Sequence, residues 1–264
     1  MNPAIFRRFA LTSRFTQWAR ALHPGYAADL LLPRTCAGCS LAFEPGDQPI
    51  GWCEPCLSRL RCRAPRCPRC ALERAGSVCG TCASKPPPFA RTLVLGAYAA
   101  PLDHIVRALK FSRQPALAHA LASALAPIVS SELAAWQSGL EPPQVVPVPL
   151  SDLRLAERGY NQSLLIARPI ARACGLALLP RALQRVRAGP PQSRLSPAAR
   201  EHNVEQAFRA TAQVSRPVLL VDDVMTTGAT LAAASRTLLA AGAPSVTCVV
   251  VARTPLPDVP LPDV

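Results

Sequence analysis

The residues best suited to chemistry lie in one run, Val218-Leu219-Leu220-Val221-Asp222-Asp223-Val224-Met225-Thr226-Thr227-Gly228-Ala229-Thr230. Four apolar residues, two of them β-branched, read as a buried parallel strand ended by two adjacent carboxylates. A short Thr/Gly loop then enters an Ala/Leu-rich helix. Free backbone N–H groups at a helix N-terminus, with the positive end of its dipole, form an anion site. Gly228 lets the backbone approach closely, and the hydroxyls of Thr226, Thr227 and Thr230 add donors. Phosphate on the loop and sugar hydroxyls on the carboxylates together suit a phosphorylated ribose. A plain strand-to-helix connection needs one capping residue; here two acids and three threonines fall within nine positions. Acids are otherwise scarce, with only Glu201 and Glu205 between Arg158 and Val221.

A second concentration of chemistry is sulfur. Nine of the eleven cysteines lie between Cys36 and Cys82, and eight form Cys-x-x-Cys pairs: Cys36/Cys39, Cys53/Cys56, Cys67/Cys70 and Cys79/Cys82. A two-residue gap turns both thiolates of a pair toward one ion, and two such knuckles complete a tetrahedral zinc site. Thirteen residues separate the first two pairs and eight the last two, among turn formers such as Ala37-Gly38 and Pro68-Arg69. Two structural zinc ions are expected. The spacing allows adjacent pairs to share an ion, or the first pair with the third and the second with the fourth. Disulfides need an oxidising compartment, to which no secretory signal points, and paired knuckles favour zinc over an iron–sulfur cluster. Cys62 is left without a partner, while Cys174 and Cys248 read as core cysteines. Large apolar side chains are few here, so metal must supply folding energy.

These sites need a scaffold, and 264 residues suffice for one sizeable α/β domain and a small module. Net charge is +13, carried almost wholly by arginine, since Lys85 and Lys110 are the only lysines. Such a surface attracts nucleic acid or phosphorylated ligands but equally fits a plain Arg-rich protein. Within the cysteine region, Arg59, Arg61, Arg63, Arg66, Arg69 and Arg74 are placed to follow a phosphate backbone or to form a solvated face. Residues 1–30 read as a basic, poorly ordered leader, 31–84 as a double zinc ribbon, and 85–92 as a Pro-rich linker. Residues 93–254 form the main domain, and 255–264 a Pro-rich disordered tail. No run of 18 apolar residues is present, so no transmembrane segment and a cytoplasmic location are expected.

In the main domain, strands are expected at Leu93–Tyr98, Val145–Val148, Val218–Val221 and Val246–Val251. Helices are expected around Leu102–Leu109 and Leu117–Leu125, and over Ser163–Cys174 and Thr230–Ala241. Alternating strands and helices imply a parallel sheet covered on both faces, with ligands at the carboxyl ends of its strands. Arg154, Arg158 and Asn161 follow one such end and suit a second phosphate group. Arg185 to Ser196, including Gln192 and Ser193, keeps to neither period and reads as a lid or a surface loop. Glu201, His202 and Asn203 begin a short helical stretch.

The acid pair with Thr-Thr-Gly-x-Thr resembles the signature of type I phosphoribosyltransferases. By that resemblance Asp222 and Asp223 hold the ribose hydroxyls of phosphoribosyl pyrophosphate, bound with Mg²⁺, and Thr226, Thr227, Gly228, Ala229 and Thr230 wrap its 5′-phosphate. The ordered set is similar to the ComF family: four Cys-x-x-Cys pairs, Pro-Pro-Phe, Leu-Lys-Phe, Val-Pro-Val-Pro-Leu, Glu-Arg-Gly-Tyr-Asn-Gln, Pro-Pro-Gln-Ser and Asp-Asp-Val-Met-Thr-Thr-Gly-Ala-Thr. That family joins a double zinc ribbon to a phosphoribosyltransferase-like domain and is linked to DNA uptake in competence. The resemblance spans about residues 30–254 and implies partners among single-stranded DNA and the competence machinery. It places the pyrophosphate-contacting loop at Arg154–Gln162 and the flexible loop at Arg185–Ser196. Ser151-Asp152 departs from the more basic or Pro-containing pair expected there. No glutaminase domain with an N-terminal nucleophilic Cys is seen, so ammonia transfer from glutamine is not expected. No side chain announces itself as a catalytic acid or base. The family resemblance allows a ribose phosphate binder, an active transferase or a nucleotide-sensing adaptor.

Overall fold

The computed structural model describes residues 34–43, 49–60, 65–73, 77–134, 141–186 and 207–255. The leader, Arg61, Cys62, Arg63, Arg74, Gln192, Ser193, Glu201–Asn203 and nearly all of the tail lie outside them.

Four parallel strands form the central sheet: β3 (Arg91–Ala97), β4 (Gln144–Pro147), β7 (Val218–Met225) and β8 (Val246–Arg253), ordered β3-β8-β7-β4. All eight residues of β8 are buried, which explains an apolar run without alternation: a central strand covered on both faces has no solvent side. Two cores meet at the sheet. One holds Leu219, Val221, Val249 and Val251 against helices α3 (Leu102–Phe111), α4 (Leu117–Ala134) and α6 (Gln162–Ala173). The other holds Val218, Leu220, Cys248 and Val250 against α7 (Ala229–Ala240). Alternate residues of one strand therefore serve opposite cores.

The expected end of β7 is corrected. The strand does not stop at the acids but runs through Asp222 and Asp223 to Met225, because β8 offers partners that far: Asp222 lies opposite Val250 and Met225 opposite Arg253. A further helix, α5 (Asp152–Arg158), occupies a stretch assigned to no element by periodicity. It buries no residue, so no apolar stripe marks it. Ser151 caps it, its side chain accepting from Arg154 N, and Asp152 sits in the first turn. The Ser-Asp pair that departs from the family pattern is thus a helix start. Gly159, at φ 79, ends the helix in the left-handed conformation.

Helix α4 has the length and composition of a membrane span, with mean hydropathy 1.3 over 18 residues. Its Leu121, Leu125 and Val129 are fully buried in the core, and the buried Trp52 indole donates to its Ala120 carbonyl at 2.7 Å. Core packing therefore accounts for part of its apolarity.

The cysteine module consists of β1 (Arg34–Thr35) paired with β2 (Ala42–Phe43), and helices α1 (Glu54–Leu60) and α2 (Gly80–Ser84). It is packed on the sheet rather than tethered beside it. Cys36, Trp52, Cys56, Leu57 and Leu60 join the core of α3, α4 and α6, whereas Cys67, Cys70, Cys79, Cys82 and Phe89 join the core of α7. The module's two halves therefore flank opposite faces of one sheet. Gly96 of β3 permits the approach, since a Cβ there would lie 2.5 Å from the Leu60 carbonyl oxygen. A short antiparallel pair, β5 (Leu183–Arg185) and β6 (Phe208–Ala210), completes the described elements.

Candidate functional site

Asp222 and Asp223 stand at the carboxyl end of β7, where parallel sheets bind their ligands. Ser163, in the first turn of α6, donates its hydroxyl to Asp222 Oδ1 at 2.9 Å, and the Asp223 backbone N–H donates to the same oxygen at 2.9 Å. Burial and then the neighbouring Asp223 charge push the Asp222 carboxyl up to about 7, against the pull of Ser163, the Asp223 N–H and Lys110. Lys110 at the end of α3 places Nζ 2.9 Å from Asp223 Oδ1, both side chains being mostly buried. The hydroxyl of Tyr160 donates to the Leu109 carbonyl, fixing the helix end that presents Lys110.

The phosphate loop follows. Gly228 caps α7 at φ 84, a conformation that strains any side chain, and a Cβ there would lie 2.7 Å from Met225 Cε. Thr227 Oγ1 accepts from Ala229 N at 3.3 Å. Thr226, Thr227 and Ala229 are exposed, with Gly228 and Thr230 half-buried, so the loop and the helix start are open to a ligand. The acids and the loop thus occupy one end of β7, as the sequence implies.

The other candidates divide. Asn161 is committed to structure: its Oδ1 accepts from Ser163 N at 3.0 Å and Leu164 N at 3.4 Å, and its Nδ2 donates to the Val148 carbonyl at 3.0 Å. It caps the helix that carries Ser163. The Arg158 guanidinium lies 5.2 Å from the centroid of the exposed Phe111 ring. Arg154 is exposed on α5, which buries no residue. Gln192 and Ser193 lie outside the described residues.

Three side chains take positions that sequence alone did not assign them, among them Arg185, expected to open a loop but placed in a strand. Lys110 was legible as one of only two lysines, but its pairing with Asp223 spans distant elements. Arg185 belongs to β5 and packs its guanidinium 5.3 Å over Phe208. Arg185 is half-buried, and burial and the Arg154 charge lower its pKa while the Asp222 charge opposes them. Gln162 is fully buried beside Ser163, and neither polar atom of its amide has a partner among the described residues. Leaving such groups unsatisfied costs on the order of 1–3 kcal/mol, which a ligand or an ordered water would relieve.

The eight paired cysteines form two clusters, Cys36/Cys39/Cys53/Cys56 and Cys67/Cys70/Cys79/Cys82. In each, the sulfur atoms lie within 4.8 Å of one another. Adjacent pairs thus share a site, and the interleaved arrangement is excluded. Gly38 N and Cys53 N donate to Cys36 Sγ at 3.4 Å, and Cys79 N to Cys67 Sγ at 3.4 Å. Burial pushes the Cys36 and Cys67 thiols up, but backbone N–H groups outweigh it, those of Cys53, Cys39 and Gly38 for Cys36 and of Cys70, Cys79 and Arg69 for Cys67, and bring them down to about 7 and about 6. Four soft donors this close together, with one thiol of each cluster lowered toward the thiolate by backbone amides, fit zinc. Each cluster can hold one ion through its four cysteines. Of the arginines considered for a nucleic-acid track, Arg66 bonds Glu73 and the Ala71 carbonyl, and Arg69 the Cys82 carbonyl. Both brace the second cluster. Cys248 is buried as expected, whereas Cys174 is only half-buried.

A parallel sheet with an acid pair and Thr/Gly loop at its carboxyl end, preceded by two four-cysteine clusters, defines a phosphoribosyltransferase-type protein with a zinc ribbon module. The family model "Phosphoribosyl transferase domain" matches residues 120–259. "DNA utilization protein YhgH" of Salmonella typhimurium is 38% identical over 77% of this chain and 91% of that protein. Its namesake in Escherichia coli strain K12 is 36% identical over 85% of this chain and 99% of its own length. "Competence protein F" of Haemophilus influenzae is 31% identical over 71% of this chain and 84% of that protein. The chain belongs to the ComF family of phosphoribosyltransferase-like proteins.

Proposed function

We propose that this protein binds phosphoribosyl pyrophosphate, or a closely related ribose phosphate, and that this binding serves the handling of DNA in uptake or utilisation. The observation that carries the reading is the acid pair beside the α7 N-terminus, held by Ser163 on one carboxylate and Lys110 on the other. Carboxylates so braced accept the ribose hydroxyls without reorganising, and the Thr226–Thr230 loop takes the 5′-phosphate. Lys110, Arg158 and Arg185 would neutralise a pyrophosphate group. Magnesium would arrive with the pyrophosphate, as is usual for a cation that prefers phosphate oxygens and water to an all-protein cage, and would supply charge neutralisation. The names of the relatives support the connection to DNA.

The test is a calorimetric titration of the zinc-loaded protein with phosphoribosyl pyrophosphate and Mg²⁺. Saturable one-to-one binding is expected, lost in the double variant Asp222→Asn/Asp223→Asn. A wild-type protein that gives no binding heat and no thermal shift refutes the reading. Pyrophosphate release over a panel of acceptors distinguishes a transferase from a binding protein.

One observation favours a nucleic-acid surface beside this site. Phe111 and Leu153 are 68% and 70% exposed, and Arg154 and Arg158 stand on the solvated α5 near them. Exposed aromatic and guanidinium faces stack with bases of single strands.

A further inference from the structure

The turn at the second cysteine cluster has four consecutive carbonyls, each accepting a hydrogen bond. The Pro68 carbonyl accepts from Thr92 N at 3.1 Å and the Arg69 carbonyl from Thr92 Oγ1 at 2.5 Å. The Cys70 carbonyl accepts from Arg253 Nε at 2.9 Å, and the Ala71 carbonyl from Arg66 Nη1 at 2.8 Å. Three of the four are therefore held by the sheet, through β3 and β8. Arg253 is the last residue of β8 and is 6% exposed. Its Nη1 donates to the carbonyls of Met225, at 3.1 Å, of Thr226, and of Thr254, at 2.9 Å. Met225 and Thr226 are where β7 becomes the phosphate loop. One buried guanidinium thus bonds a metal knuckle on one side and the first peptides of that loop on the other.

Charge adds to the geometry. A divalent zinc among four thiolates leaves a doubly negative cluster, and Arg253 is a buried cation in contact with it. The first cluster is placed differently. Its segment bonds α4, through Trp52 to the Ala120 carbonyl and through the Ile50 carbonyl to Ser123 Oγ at 2.6 Å.

We propose that Arg253 is a positioning residue through which the second cysteine cluster sets the shape of the phosphate loop, so that zinc in that cluster and phosphate ester on the loop stabilise each other. The ligand half of this statement rests on the ribose phosphate reading above; the positional half rests on the contacts alone. Such coupling is reciprocal: whatever factor zinc contributes to ligand affinity, ligand contributes to zinc retention. The first cluster holds a structural ion with no such influence.

The test compares wild type, Arg253→Met, the second-cluster variant Cys79→Ser/Cys82→Ser and the first-cluster variant Cys53→Ser/Cys56→Ser. Three quantities are read: zinc content, amide hydrogen exchange of the peptide 225–231, and affinity for phosphoribosyl pyrophosphate with Mg²⁺. Loss of the second cluster is expected to speed exchange of that peptide and weaken affinity by about tenfold, within the ~5–150-fold range of ordinary allosteric coupling. Arg253→Met should reproduce both effects while keeping both zinc ions, and the first-cluster variant should stay within about twofold of wild type. In wild type, phosphoribosyl pyrophosphate should slow chelator extraction of one zinc ion and not of the other. Loop exchange unchanged in Arg253→Met, or accelerated equally by losing either cluster, overturns the proposal. Should the cysteine variants not fold, stepwise chelation of wild type followed by hydrogen exchange decides the same point. Absence of phosphoribosyl pyrophosphate binding in wild type would refute the ribose phosphate reading, and loop exchange would still decide the positional half.

Discussion

Asp222 carries the most perturbed acid of the site, raised from an ordinary 3.8 to about 7 by burial and by the charge of Asp223. Its folded pKa lies above the unfolded value, so this group favours folding least when ionised: stability from this source falls as pH rises from about 4 to about 7. Ligand binding runs the other way, because the ionised carboxylate accepts the ribose hydroxyls. Affinity for phosphoribosyl pyrophosphate should therefore rise between about pH 6 and pH 8 by more than phosphate ionisation explains. In Asp222→Asn only the ligand's own titration should remain. Calorimetry on both proteins over that range checks the difference; identical profiles would remove Asp222 from the binding step. Lys110 stands beside the pair as its fixed counter-charge. Ser163 holds Asp222 in place only because Asn161 starts its helix there.

At the scale of elements, the junction of β7 and α7 depends on one left-handed residue. Gly228→Ala must place a side chain at φ 84, at a cost of about 1–2 kcal/mol. It must also displace the flexible end of Met225. If the strain is relieved by deforming the loop, affinity for the phosphate ester should fall by about five- to thirtyfold. A direct titration reads this, with thermal denaturation to show that the fold persists. The contact between the first cluster and α4 gives a second prediction. Trp52 is fully buried and its indole N–H is satisfied by Ala120, so Trp52→Ala removes both packing and a hydrogen bond. A loss of about 3–5 kcal/mol is expected, seen as a marked drop in melting temperature. A shift of a degree or less would show that the module packs on α4 only loosely.

For the molecule as a whole, metal and sheet form one folding unit, since residues of both clusters lie in the two cores that sandwich the sheet. Metal analysis should find two zinc ions per chain, and a strong chelator should lower the melting temperature of the entire protein. An unfolding transition of the sheet untouched by chelation would separate the two parts. The net charge of +13 bears on the other partner. If single-stranded DNA binds along Phe111, Arg154 and Arg158, its affinity should drop steeply with salt, in proportion to the phosphates neutralised. Arg158→Ala should reduce that slope by about one, and a flat response would rule out this surface.

Local order along the chain was enough to reveal the spacing of the cysteine pairs, the apolar runs of a doubly covered sheet, and the acid–threonine–glycine order at one strand end. Each is a short-range pattern whose physical meaning depends on neighbours within a few residues, and so can be read from one chain. The end of β7 does not belong among them, because only pairing with β8 keeps the strand extended through the two acids. Tertiary structure alone decided which cysteine pairs share an ion and that the two clusters lie on opposite faces. It also decided that Ser163 and Lys110 converge on Asp222 and Asp223 from two separate helices. Arg253 illustrates the limit most plainly. In sequence it is one arginine at the end of an apolar strand. Its contacts with Cys70 and Thr226 span 183 and 27 residues, and only the packing of the sheet brings those segments to one guanidinium.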